Sequence, residues 1–336
     1  MDGVLQRHRR PRFLAAAVIA SLALVPILAG SFALASQPGG APSAHPTKKP
    51  RPTLTPTPTT APTPTTAPTP TLPPNVPNFG HVFVILMENE EAAAIIGNSS
   101  APYINGLANT YGLATNYNAV AHPSEPNYLA LWSGSTQGVT DDAVYNFGSG
   151  TTIADQIEAA GKSWHVAAEN VPLGCYTGAT ASNGEDGTGN YARKHEPAIS
   201  WTSVSGNATR CDRITDFTHF DPNLGNYWFI VPNMCHDMHD CSIATGDSFL
   251  QGFMPRILTS AAYADSLVVL TWDEGTTSTG GGGNVVTIVI SPSGKTAFRS
   301  ATAHSHYSLL HTTETAWGLP CLANACAAND LREFFK

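Results

Sequence analysis

Six apolar residues in succession, Val82-Phe83-Val84-Ile85-Leu86-Met87, constrain the fold of this chain more than any other stretch. The run is short and rich in β-branched residues, the pattern of a strand buried on both faces of a parallel sheet. Glu88 and Asn89 follow at its carboxyl end. In open α/β sheets the ligand crevice lies outside the carboxyl ends of the strands. An acid and an amide placed there suit a cation, although this run alone leaves Glu88 also readable as a solvated loop residue.

Two further runs repeat the arrangement. Tyr227–Val231 leads directly into Pro232-Asn233-Met234-Cys235-His236-Asp237-Met238-His239-Asp240, and Leu267–Trp272 ends at Asp273-Glu274. Trp164–Ala168 and Val285–Ile290 read as additional strands, and residues 101–111, 151–160, 249–263 and 308–317 as helices. This alternation predicts a three-layer α/β/α sandwich with a mainly parallel sheet. One acid at a strand end means little. Three polar clusters in the same structural position would converge on one crevice.

The rest of the chain places that domain. Arg7, Arg9, Arg10 and Arg12 precede the mostly apolar Phe13–Gly30 and the small residues Ala33-Leu34-Ala35-Ser36, the layout of an export signal over residues 1–36. The apolar run approaches the length of a membrane span, so an uncleaved anchor also fits; with cleavage no stable span remains. Residues 37–80 hold 14 of the 26 prolines, in Thr-Pro repeats that have little to bury and favour an extended stalk. Residues 81–336 are ample for one α/β domain, placed outside the cell or at its surface. Beyond Gly80, 10 Lys and Arg face 24 Asp and Glu. That balance opposes nucleic-acid binding, which needs basic surface. All six cysteines lie in the domain, and an even count in an exported chain suggests disulfides. Nearest-neighbour pairing would join 175 to 211, 235 to 241 and 321 to 326, but spacing does not prove connectivity.

Carboxylates and imidazoles suit divalent cations such as zinc, manganese, magnesium or calcium. A Ser at a helix N-terminus adds a nucleophile beside N–H groups that favour an anion. Ser124 meets that description, with Pro126 just inside the helix; it equally fits a plain helix cap. His122-Pro123-Ser124-Glu125-Pro126-Asn127-Tyr128 resembles the motif of the secreted phosphoesterase family that holds acid phosphatases and phospholipase C-type enzymes, a branch of the alkaline phosphatase superfamily. Met87-Glu88-Asn89, Asn233 with Asp237-Met238-His239-Asp240, Trp272-Asp273-Glu274 and His306-Tyr307-Ser308-Leu309-Leu310 resemble its other blocks, in order.

The resemblance implies an alkaline phosphatase-like fold and a metal-dependent hydrolase of phosphate esters. Ser124 would be the nucleophile that takes the phosphoryl group, and His122 would hold a phosphate oxygen or protonate the leaving group. Glu88, Asn89, Asp237, His239, Asp273, Glu274 and His306 would bind metal. His165, His195, His219, His304 and His311 read as structural or surface. A phosphomonoesterase of the acid phosphatase type fits better than a phospholipase C, because the domain shows no clear lipid-binding apolar run. Two other classes compete. Gly246-Asp247-Ser248-Phe249-Leu250 resembles the nucleophile block of GDSL-type esterases, but it sits mid-domain, after the one Asp-x-x-His pair (Asp216 to His219) that should follow it. An inactive cell-surface binding protein on the same fold would be expected to have lost one of Ser124, Glu88, Asp273 or His306.

Overall fold

The computed structural model describes residues 75–182 and 190–336. The expected export segment and most of the Pro/Thr-rich stretch lie outside the described residues. Ordered packing begins before residue 81. Phe79 is buried against Phe335, and the Trp317 indole N–H donates to the Phe79 carbonyl at 2.7 Å.

The apolar run forms β1 (His81–Met87), whose residues from Val82 onward are wholly buried. It lies in the middle of an eight-stranded sheet. The other strands are β2 (Gly112–Ala114), β3 (Trp164–Ala168), β4 (Ile214–Thr215), β5 (Tyr227–Val231), β6 (Ser266–Trp272), β7 (Thr287–Ile290) and β8 (Arg299–Ser300). Across the sheet they run β8-β2-β7-β6-β1-β5-β3-β4. β6, β1, β5, β3 and β4 are mutually parallel, and β7 alone runs antiparallel to its neighbours. Strands covered on both faces need no alternation of polar and apolar residues, which is why β1, β5 and β6 read as unbroken apolar runs. The expected sandwich is therefore the observed one, with a single reversed strand. That strand begins at Thr287, two residues after the predicted start.

The helices fall into two groups, as a sheet covered on both faces requires. α1 (Pro102–Thr110) packs on α4 (Ile243–Phe253), while α2 (Glu125–Ser133) packs on α3 (Ile153–Ala159) and α5 (His306–Trp317). Every residue of α2 is buried, so it carries no polar face; Trp132 packs edge-on against Trp164 and Phe229. One predicted helix is displaced. The segment read as 249–263 starts at Ile243, capped by the Ser242 hydroxyl on Thr245 N–H, and stops where Pro255 cannot continue it. Gly246 lies inside this helix, where a Cβ would come within 2.5 Å of Met238 and 3.0 Å of the His236 carbonyl. Only glycine lets α4 lie this close to the loop after β5.

All three disulfides join sequence neighbours: Cys175–Cys211, Cys235–Cys241 and Cys321–Cys326. Among the described residues no helix is long and apolar enough to cross a membrane.

Candidate active site

β6, β1 and β5 are adjacent and parallel, with Met87 level with Trp272 and Ile85 level with Ile230. The residues that follow them must emerge side by side at one edge of the sheet. Glu88, Asp273 and Asp237 do so, and all three are fully buried. The backbone ties the loops together: Glu88 N–H donates to the Asp237 carbonyl at 2.8 Å, and Asp273 N–H to the Met87 carbonyl at 2.9 Å. Asn89 turns the chain with φ 55°, and its N–H donates to Asp273 Oδ1 at 3.2 Å.

Ser124 stands at the head of α2 but does not cap it. Its side chain makes no hydrogen bond to the helix N–H groups. The hydroxyl turns instead toward the acids, 3.1 Å from Glu88 Oε2 and 3.3 Å from Glu274 Oε1. The other Glu274 oxygen meets His122 Nδ1 at 2.5 Å, and His122 Nε2 donates to the Thr277 carbonyl at 2.8 Å. The turn that carries Thr277 is fixed by Glu91, whose carboxylate accepts from Thr277 and Asn284 N–H.

His195 occupies a place that sequence reading did not assign to it. It sits on a short turn, Arg193–His195, inside the loop closed by Cys175–Cys211. Its Nε2 lies 3.2 Å from Glu88 Oε1, without hydrogen-bond geometry, and its Nδ1 lies 3.5 Å from Asp237 Oδ2. Tyr128 fixes both partners. Its hydroxyl donates to Glu88 Oε1, and its ring stacks on His195 with centroids 5.0 Å apart.

The remaining expected ligands lie further out. His239 is half-buried; its Nδ1 bonds Asp240 Oδ1 at 2.7 Å and its Nε2 lies 3.3 Å from Lys194 Nζ. His306 is buried behind Asp273. Its Nε2 donates to the Asp273 carbonyl at 2.5 Å and its Nδ1 accepts from the Tyr117 hydroxyl at 3.2 Å. Both ring nitrogens of His306 are thus engaged, and the ring braces the loop after β6 rather than joining the cluster of ligand atoms. Burial holds this imidazole neutral, pushing it down to about 4.

The electrostatics of the cluster are unbalanced. Burial first, then the charges of Asp273 and Asp237, pushes Glu88 well above the usual carboxylate range. Burial followed by Glu274 raises Asp273 to about 8. Burial, with Asp273 and Asp240 adding to it, raises Asp237. His195 is driven well below its ordinary value by burial and then by Lys194 and His239, so it presents a neutral ring. Asp237 Oδ2, Asp273 Oδ2 and His195 Nε2 are buried with no hydrogen-bond partner. One atom each from Glu88, His195 and Asp237 lies within 4.8 Å of the others. Buried acids are tolerated when paired or coordinating metal. A divalent cation would give the orphaned atoms of Asp237 and His195 a partner, and the oxygen–nitrogen donor set of Glu88, His195 and Asp237 fits one.

The esterase-like block does different work. Asp247 accepts from Tyr103 N–H at 3.1 Å and Ile104 N–H at 2.8 Å, capping α1. Asp216 caps the short turn that holds His219 through Thr218 N–H. Both carboxylates are engaged by backbone N–H groups, Asp216 also by that of Asn170 at 2.7 Å.

Residues 97–320 match the Phosphoesterase family. A phosphatidylinositol-3-phosphatase of Mycobacterium tuberculosis is 35% identical over 251 residues, covering 73% of this chain and 79% of the relative. An acid phosphatase of Aspergillus fumigatus is 33% identical over 268 residues, 75% of this chain, and the alignment spans only 58% of the fungal protein. Among solved structures, the phosphonate monoester hydrolase of Silicibacter pomeroyi shares the fold with a TM-score of 0.52 at 12% identity, over 76% of each chain. The chain belongs to the Phosphoesterase family, hydrolases of phosphoric ester bonds.

Proposed function

We propose that this chain is an exported, metal-dependent phosphomonoesterase that works through a phosphoserine. The observation that carries the reading is the Ser124 hydroxyl. It is diverted from helix capping and held between Glu88 and Glu274 above a buried acid cluster short of positive charge. Glu88, His195, Asp237 and Asp273 would hold the cation, with Asn89 and Glu274 at its edge. A bound divalent cation would neutralise the phosphoryl oxygens and favour the Ser124 alkoxide.

The chain's own groups supply the rest. Ser124 Oγ attacks phosphorus in line with the leaving oxygen, and its proton passes to Glu274 Oε1, which it already touches. The bond from phosphorus to the leaving oxygen breaks, and His122 donates a proton to the departing alkoxide. Glu274 and the carbonyl of Thr277 outweigh the effect of partial burial and raise His122, which suits it to that role. Water then attacks phosphorus and gives a proton to His122, the bond from phosphorus to Ser124 Oγ breaks, and Glu274 returns its proton to that oxygen. The names of the two aligned relatives, both phosphatases, support a monoester substrate. The three disulfides support an oxidising compartment.

The test is p-nitrophenyl phosphate turnover before and after chelation, with metal add-back. Chelation should abolish turnover, and one of the cations should restore it. Ser124→Ala should lose at least about 10³-fold in kcat while retaining metal. Acid quenching should trap phosphate on Ser124 in the wild type. Turnover of Ser124→Ala at the wild-type rate would refute the scheme.

A further inference from the structure

We propose that Lys194 grips the phosphoryl group of the substrate, and that Asp142 occupies its ammonium until substrate arrives. This deepens the phosphomonoesterase reading and rests on it. A phosphate monoester brings close to two negative charges at neutral pH. It must enter a rim that already carries Asp142, Asp240 and Glu274 above the buried Glu88, Asp237 and Asp273. Electrostatic stabilisation is the main contribution a protein makes to phosphoryl transfer, so a cation at this rim matters.

Lys194 is placed for it. It directly precedes His195 on the same turn, so one piece of backbone sets both. Its neighbour Arg193 is committed elsewhere, to the carbonyls of Thr177 and Tyr145 and to Asn146 Oδ1. The Lys194 side chain is half-buried, with 18% of it exposed, and Nζ lies 3.0 Å from Asp142 Oδ2. Nζ is also 3.3 Å from His239 Nε2. With His239 Nδ1 donating to Asp240, that Nε2 offers a lone pair to the ammonium. Two of the three ammonium donors are then engaged.

Asp142 links this cation to the nucleophile. Its other oxygen accepts from the N–H of Glu125, the residue after Ser124, at 3.0 Å. The ammonium therefore stands at the head of α2, where the phosphoryl group must lie for Ser124 to reach phosphorus. Lys194 and Asp142 also line a cavity of about 200 Å³ with Glu125, Met234 and Asp240, which leaves the pair reachable. A partly exposed ion pair of this kind is weak, so a phosphate oxygen can displace the carboxylate.

The experiment measures inorganic phosphate binding by calorimetry, and p-nitrophenyl phosphate kinetics, on the metal-loaded chain. Four proteins are compared: wild type, Lys194→Gln, Lys194→Arg and Asp142→Asn. Lys194→Gln should weaken phosphate binding about tenfold or more and cut kcat/KM by about 10²–10³, with metal content unchanged. Lys194→Arg should recover part of both. Asp142→Asn, which removes the competing charge, should bind phosphate more tightly. Wild-type phosphate affinity in Lys194→Gln overturns the proposal. So does an equal loss of phosphate affinity in Lys194→Gln and Asp142→Asn, which would mark a purely structural pair. A wild type that binds phosphate through Lys194 but never turns over substrate would sink the enzymatic reading instead, and leave Lys194 as an anion site only.

Discussion

Removing the carboxylate of Asp247 separates stability from chemistry in a block that resembles an esterase nucleophile site. α1 begins at Pro102 with Ala101 in the cap position, so its first turn has no local side chain to satisfy its N–H groups. Asp247, more than 140 residues away, accepts from two of them at 2.8 and 3.1 Å. Hydrogen bonds to a charged acceptor contribute about 1.5–3 kcal/mol each, and loss of a helix cap costs about 0.5–2 kcal/mol. Tyr103 is only part-buried and its N–H regains some water, so Asp247→Ala should cost about 2–4 kcal/mol in all. In a domain of this size that corresponds to a fall in Tm of about 5–15 °C. The assay is a thermal melt by circular dichroism, paired with p-nitrophenyl phosphate turnover at 25 °C. We expect a lower Tm and a wild-type kcat. An unchanged Tm would refute the capping argument, and lost turnover at unchanged Tm would place Asp247 in the chemistry.

Tyr128→Phe removes the hydroxyl that donates to Glu88 while leaving the ring on His195, and should weaken cation binding about 10–100-fold in a metal titration. An unchanged Kd would mean that Glu88 needs no such support. Glu314 provides a pH test remote from the cluster. It is buried, with one oxygen accepting from Leu322 N–H at 2.8 Å and the other unpartnered, and burial raises it to about 8. The folded chain therefore keeps a proton there that the unfolded chain, with an ordinary carboxyl near 4.5, has released. The stabilisation is complete below the unfolded value and is lost as pH rises through about 8. Glu314→Gln should flatten the decline of Tm between pH 5 and 8; parallel curves for the two proteins would refute the assignment.

The central sheet was legible because β1, β5 and β6 are buried on both faces and so read as plain apolar runs. The short strands β2, β4 and β8 have two or three residues each, too few for any period to register. The acids of the cluster were legible for a related reason. Glu88, Asp237 and Asp273 follow strands, and parallel neighbours deliver their ends to one place. His195 was not, because a loop rich in Gly, Ser, Thr and Asn has no periodicity to fix its path. Its position depends on a disulfide, a short turn and the Tyr128 ring, which are tertiary facts. His306 follows the family pattern in sequence, yet the ring nitrogens are taken by Tyr117 and the Asp273 carbonyl, which no local signal announces. The start of α4 could have been found, since Ser242 three residues before Thr245 and Pro255 at the far end are both recognisable signals.

The bridge between Cys175 and Cys211 has a consequence for timing. It encloses the turn that presents both His195 and Lys194, with a sequence separation of 36. Closing a loop of that length removes about 4 kcal/mol of chain entropy from the unfolded ensemble. While the thiols stay reduced, nothing covalent holds that loop over the strand ends. A newly made chain would then carry its acids in place but lack the imidazole and ammonium that complete the site. Oxidation would act as a latch, arming the centre by fixing the imidazole and the ammonium over the acids.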